Sequence, residues 1–350
     1  MIDPKPKTFP VRAAVLFAIA VVFCVVAYIK RDEAIKVWEK LKGGDPVFVA
    51  ASVIVQVIYW FCFAAMYKSS YKVVGIVGRV RDLLPVWLAS LFVNIAAPAA
   101  APAVFLDDAA RRGQSPARAA AGMLVLRLTD FGTLTVFIAA GVALMLPRTG
   151  ATLAWWGHVA ATIGLVGVTL VWSLPLFLAK FKPAALLWVL NRVARGVNGA
   201  FVLVKRPAPL NDDWANRQSE QFSLSANLAL TDPRRLLAPI GVATVAHALD
   251  IVSLYFMLRA FGIDADITVC FAAFAVCLLY WIVSPTPDGV GFVEFAVAHT
   301  LTALHVAEPE QALAAALAFR GISLYLPVLI GGLCLPRLAA PVKNAPQTAI

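Results

Sequence analysis

Long apolar runs separated by short charged loops make up most of this chain. Uninterrupted hydrophobic stretches occupy roughly residues 11–29, 46–67, 118–146, 152–179, 237–261, 266–284 and 310–336. A helix needs about 20 such residues to cross about 30 Å of hydrocarbon, so these runs predict about seven clear spans. Two further apolar stretches, 83–106 and 285–305, are interrupted by proline and small residues. Broken backbone persists at membrane depth only where protein buries it or where it lines a cavity, and both stretches are therefore expected to be re-entrant helix hairpins. The expected fold is an all-α polytopic membrane protein of about seven to eight transmembrane helices plus two re-entrant hairpins.

The pattern also repeats. Pro116 is followed eleven residues later by Arg127, and Pro309 is followed at the same distance by Arg320, each arginine inside an alanine-rich apolar helix. A proline-rich, small-residue stretch precedes each copy, Pro98-Ala99-Ala100-Ala101-Pro102 in one and Pro285-Thr286-Pro287-Asp288-Gly289-Val290-Gly291 in the other. A duplicated unit of broken helix plus buried cation points to the central site of a membrane transporter. The chain divides as one integral membrane domain, 1–350. Its first half, 1–179, holds the hairpin at 83–106, a polar and amphipathic connector covers 180–236, and the second half, 237–350, holds the hairpin at 285–305.

The connector opens with apolar residues and arginines over 184–195, a spacing that suits an amphipathic helix in the headgroup region. Residues 30–45 mix Lys and Arg with Asp and Glu and read as a solvated surface helix on the opposite side. The first span runs directly into Tyr28-Ile29-Lys30-Arg31-Asp32 with no small-residue cleavage site, as expected of an anchor and not of a cleaved signal. If the 83–106 stretch returns to its own side, the loops on the N-terminal side carry 19 Lys and Arg against 7 on the other. The positive-inside rule then makes the N-terminus cytoplasmic. If that stretch crosses, the count reverses to 9 against 17, so orientation and hairpin stand together.

Charges within the spans carry the candidate chemistry, because each costs at least about 2.5–3.5 kcal/mol at a helix centre. Arg127 and Asp130 share a helix face and form an expected ion pair. Arg320 has no carboxylate at helical spacing in its own span, and Glu294 is its natural partner. His247 and Asp250 form a second spaced pair, readable as a proton relay and more simply as a core hydrogen bond. The segment Pro287-Asp288-Gly289-Val290-Gly291-Phe292-Val293-Glu294 joins chain-breaking residues to a carboxylate. Gly289 and Gly291 permit close backbone approach, and a helix starting near Phe292 would present its N–H groups to an anion. Arg111 and Arg112 follow the first hairpin and are either forked phosphate ligands or a cytoplasmic anchor cluster. Asp250 and Asp130 are also candidates for proton coupling.

Composition agrees with this pattern. Hydrophobic residues form 61% of the chain and the mean hydropathy is +0.81, values that a soluble domain does not reach. The net charge of +10 is spread over short loops beside apolar spans, which fits anionic lipid headgroups and argues against nucleic acid. The five cysteines lie within apolar segments without metal-ligand spacing and are expected to be packing residues. No metal site, cofactor or catalytic residue is read from the chain.

Four motifs resemble the membrane domain of lysylphosphatidylglycerol synthases and their stand-alone, flippase-like relatives. They are Leu91-Phe92-Val93-Asn94-Ile95-Ala96-Ala97-Pro98, Leu126-Arg127-Leu128-Thr129-Asp130, the Pro287-x-Gly289-x-Gly291-x-x-Glu294 element, and Ala318-Phe319-Arg320 leading to Leu326-Pro327. The resemblance covers most of the chain. It implies two re-entrant pairs around a lipid-accessible cavity and movement of a lipid or polyprenyl-linked headgroup between leaflets of the plasma (inner) membrane. This sequence departs from the family twice. Ala99-Ala100-Ala101-Pro102 replaces the usual glycine-rich turn, and Leu126 stands where an acidic residue is usual before the arginine. No aminoacyl-transferase domain is expected to follow, so only the membrane half of a synthase is expected here.

Three functions are compatible with these residues. The preferred one is a non-enzymatic flippase or transporter for an anionic, polyprenyl- or hopanoid-type lipid. Arg127 and Arg320 attract the phosphate, Asp130 and Glu294 hold them when the site is empty, and Pro287, Gly289, Gly291, Arg111, Arg112 and Asp250 complete the expected site. The alternatives are a membrane-embedded transferase on a lipid-linked substrate and a non-transporting accessory subunit. The expected partners are the lipid itself, and either a lipid-modifying enzyme or further copies of the chain.

Overall fold

A computed structural model describes residues 42–203, 207 and 210–339. The expected span at 11–29 and most of the charged helix at 30–45 lie outside the described residues. Helix α1 (Pro46–Val73) starts on an Asp45 cap whose carboxylate accepts from Val47 N–H at 2.8 Å, with Pro46 in the first turn. It runs from what we call the lower face to the upper face. Helix α2 (Val80–Ala96) enters from the upper face, a tight turn at Pro98–Ala100 reverses it, and α3 (Ala101–Arg111) returns. Ser115 caps α4 (Pro116–Thr149), which crosses to the lower face, and α5 (Leu153–Phe181) comes back. The pair α6 (Pro183–Leu203) and α7 (Trp214–Thr231) begins and ends at the upper face.

The second half runs the other way up. Helix α8 (Leu237–Ala260) descends to the lower face and α9 (Ile267–Val283) re-enters from there. After a turn at Pro287–Gly289, α10 (Phe292–Ala303) folds back on α9. Helix α11 (Pro309–Arg320), a π-helical turn at Gly321–Tyr325 and α12 (Leu326–Ala339) then cross to the upper face. Among the described residues, five helical paths are long and apolar enough to cross a membrane.

Two boundaries differ from the hydropathy pattern. The run at 266–284 is the entering arm of the second hairpin. Its helix has 17 residues, about 26 Å of rise, and the chain then turns back, so the hairpin spans 267–303. This arm looks like a full span because Val269, Cys270, Ala272, Phe274 and Val276 are buried around its circumference, and a helix enclosed by protein is apolar all round. The first hairpin is likewise wider than 83–106, with arms from Val80 to Arg111.

The two halves form an inverted repeat, α1–α4 against α8–α12. Helices α1 and α8 lie antiparallel: Asp45 N–H donates to the Ala260 carbonyl at 2.7 Å, and Ser52 and Ser253 each donate a hydroxyl to the other's carbonyl at 2.8 and 3.2 Å. The remaining contacts are reciprocal. The long span of each half packs on the hairpin arm of the other, α4 on α9 and α12 on α2. Glycine makes both approaches possible. A Cβ at Gly141 would fall 2.5 Å from Ala275 Cβ, and one at Gly331 would fall 2.0 Å from the Leu88 carbonyl oxygen.

Substituting alanine at Gly141 or Gly331 is therefore expected to cost about 1–3 kcal/mol or more through overpacking, seen as a lower unfolding temperature in detergent. Gly164→Ala, in open space on α5, should be silent, and equal behaviour of all three would refute the close packing. At the entry to α9, Asp266 accepts from Thr268 N–H and Val269 N–H, both at 2.9 Å, and from Arg148. The Thr268 hydroxyl first, then Val269 N–H, hold its carboxyl down at about 2. A depressed carboxyl stabilises the fold above its ordinary pKa and loses that contribution as pH falls through the folded value. Asp266→Ala should thus cost about 1 kcal/mol at pH 7 as a lost cap, with the difference from wild type narrowing in acid.

Candidate functional site

Both repeated arginines lie eleven residues into their helices, a rise of about 16 Å. That depth is near the middle of about 30 Å of hydrocarbon. Around them the hairpin tips, α4, α8 and α11 assemble a polar cluster inside an apolar protein.

At the second tip the chain takes a tight course. Asp288 sits at φ +51°, Gly289 at +73° and Gly291 at +87°. Glycine is required at 289, where a Cβ would also lie 2.4 Å from Val293 Cγ2. Glu294, three residues past the Gly291 cap, reaches back so that its Oε2 accepts from Gly291 N–H at 2.7 Å. Its Oε1 accepts from Arg320 Nε and from the Tyr325 hydroxyl, each at 3.3 Å. Arg320 Nη2 donates to the Asp288 carbonyl. Arg320 and Glu294 are buried, with side chains 9% and 3% exposed, and the π-helical turn that begins at Gly321 brings Tyr325 onto the same carboxylate. The Pro287-to-Glu294 element and Arg320 thus form one hydrogen-bonded unit.

The first arginine is placed differently. Arg127 Nη1 stands 3.9 Å from Asp130 Oδ2, and its side chain remains 36% exposed. Its guanidinium lies over the Phe131 ring, 5.7 Å from the centroid. Asp130 is buried and spans two helices, since its Oδ1 lies 3.1 Å from His247 Nε2 on α8. The spacing that pairs His247 with Asp250 is not realised. His247 turns to Asp130 on α4, while Asp250 accepts from Gln56 Nε2 on α1, because successive turns of α8 face different neighbours.

Arg111 and Arg112 are not brought to this cluster. Their helix has already returned to the upper face, where they bond Asp107 and Asp108 one turn back, each at 2.8 Å. Arg112 also donates to the Asp82 carbonyl at 3.2 Å, clasping the two arms of the first hairpin.

Between the tips lies a cleft of about 400 Å³ lined by Asn94, Pro98, Phe131, Trp281, Ser284, Thr286 and Asp288, among others. Asn94 donates from Nδ2 to both Asp288 carboxylate oxygens at 3.1 and 3.0 Å, and Trp281 Nε1 donates to the same group at 3.2 Å. Asn94, Gln56, Trp281 and Tyr325 are not among the site residues expected from the sequence. For Asn94 and Gln56 a signal existed, a lone amide in an apolar run, which marks function in a membrane segment as charges do. For Trp281 and Tyr325 there was none, since interior aromatics are common.

The model of the lysylphosphatidylglycerol synthase TM region matches residues 13–331. A "UPF0104 membrane protein" of Methanothermobacter thermautotrophicus is 23% identical over 296 residues, covering 81% of this chain and 83% of the relative. The match takes in both hairpins and both arginine helices. With its inverted halves and paired hairpins, the chain belongs to the lysylphosphatidylglycerol synthase transmembrane-region family.

Proposed function

We propose that this protein is a flippase-like lipid transporter, which moves an anionic phospholipid or a polyprenyl- or hopanoid-type lipid between leaflets of the plasma (inner) membrane. The observation that carries this reading is Arg127, a partly exposed cation at midplane depth whose carboxylate neighbour stands 3.9 Å away. Phe131, one turn further on, lines the cleft between the hairpin tips. A guanidinium offers a phosphate two parallel N–H donors, and the attraction gains strength where water is scarce. Asp130, held in place by His247, compensates the charge while the site is empty. Two hairpins entering from opposite faces supply the architecture in which inverted repeats give alternating access to one central site.

The same hairpin geometry supports an orientation. With both hairpins returning to the face they entered from, the upper face carries the basic loops at 68–82, 107–118 and 180–236. We take that face as cytoplasmic, which puts the N-terminus there as well when residues 11–29 cross.

Native mass spectrometry of protein released from mild detergent tests the site. Arg127→Ala should lose an anionic or polyprenyl-phosphate lipid retained by wild type, a deficit of about 1.5–3 kcal/mol for a charge-assisted hydrogen bond. Arg127→Lys should keep part of it, because lysine lacks the planar fork. Bulk lipids unaffected by either change would refute the site. For orientation, thiols introduced by Asp212→Cys and Ala151→Cys should react with an impermeant reagent from the cytoplasmic and the opposite face respectively, and the reverse pattern would overturn it.

A further inference from the structure

The two arginines of the repeat are unequal. Arg127 is partly exposed beside the cleft, whereas Arg320 is buried and donates to the second tip, from Nη2 to the Asp288 carbonyl and from Nε to Glu294. Asp288 occupies a left-handed conformation at φ +51°. Asp and Asn tolerate this region better than other side chains, but it requires support from its surroundings. Arg320 and Glu294 give that support, one holding the carbonyl of Asp288 and the other the N–H of Gly291.

The purpose of the support is visible at the Asp288 side chain. Its carboxylate reaches across to Asn94, which belongs to the hairpin entering from the opposite face, 194 residues earlier in the chain. Both partners line the cleft. We infer that the Asn94–Asp288 contact is the gate between the two membrane faces, and that Arg320 is a positioning residue that holds the second tip so that the gate can close. The inference rests on reading the cleft as a lipid passage.

The chemistry of the contact suits opening. An amide and a carboxylate form a directional bond without a second full charge, so separation strands no unpaired cation. Trp281 sits on the same hairpin as Asp288 and keeps one donor on the carboxylate when the tips part. On separation the Asn94 amide can donate to water or to a passing phosphate, and the Asp288 carboxylate can accept from water.

The test exchanges the two partners and reads access instead of transport. In a variant lacking the native cysteines, Ser284→Cys places a thiol in the cleft. In sealed vesicles this reporter should react with a membrane-impermeant maleimide from one face only. Adding Asn94→Asp sets two carboxylates against each other, and labelling should then occur from both faces. Adding Asp288→Asn as well restores an amide–carboxylate pair with exchanged roles, keeps a residue type that accepts the left-handed conformation, and should return labelling to one face. Arg320→Lys keeps the charge but cannot serve the carbonyl and Glu294 with one planar fork, so it should also label from both faces.

One-sided labelling in Asn94→Asp, or no recovery in the double exchange, overturns the gate. One-sided labelling in Arg320→Lys overturns the positioning role. Because the thiol reports access without any lipid substrate, failure of the transport reading would appear separately, as unchanged lipid binding in Arg127→Ala.

Discussion

The Glu294 carboxylate carries the second half of this structure. Buried in an apolar environment, it is shared between the Gly291 N–H, the Arg320 guanidinium and the Tyr325 hydroxyl. A lone carboxylate or a lone guanidinium at this depth would be costly, and each offsets the other while spare donors and acceptors are met by the broken backbone of the tip. Hairpin, arginine helix and π-helical turn are thereby one unit. Removing either partner leaves the other charge uncompensated, a larger penalty than the bond itself is worth.

The first half solves the same problem with other means. Its tip has alanine and proline in place of glycine, no carboxylate, and a 3-10 turn at Pro98–Ala100 without the positive φ angles of the second tip. With no acid at its own tip, Arg127 is compensated by Asp130 on its own helix, and Asp130 in turn is braced by His247 from the other half. An inverted duplication has thus been left with one arginine bonded inward and one partly exposed beside a cleft. Identical repeats would give two equivalent sites. Here one arginine keeps a side chain 36% exposed while the other is buried at 9%.

Packing between the halves makes the arrangement possible. Each long span meets the opposite hairpin through a glycine, Gly141 against α9 and Gly331 against α2, so backbones approach closely where the lipid supplies no hydrophobic driving force between helices. The α1–α8 contact adds serine hydroxyls that satisfy carbonyls across the interface. Much of α5 and α6 faces outward with large apolar residues such as Trp172, Phe177 and Trp188, as expected for surfaces whose solvent is lipid.

Membrane class, five crossing helices, a broken-helix tip in each half and the repeated proline-to-arginine unit could be read from the chain, because the bilayer imposes length and polarity on each segment independently of its neighbours. The Arg320–Glu294 pairing was legible for a related reason, since an ion in hydrocarbon needs a partner and Glu294 was the natural one in the second half. Partner choice beyond that was decided only by tertiary structure. His247 lies three residues from Asp250 in sequence but meets Asp130 on α4, and Asp250 meets Gln56 on α1. Helical spacing shows which residues share a face, while the neighbour that face meets depends on how the helices assemble. The same holds for the entering arm of the second hairpin, whose composition is that of a span because protein encloses it, and for Asn94 and Asp288, which meet only because two hairpins of opposite entry end at the same depth.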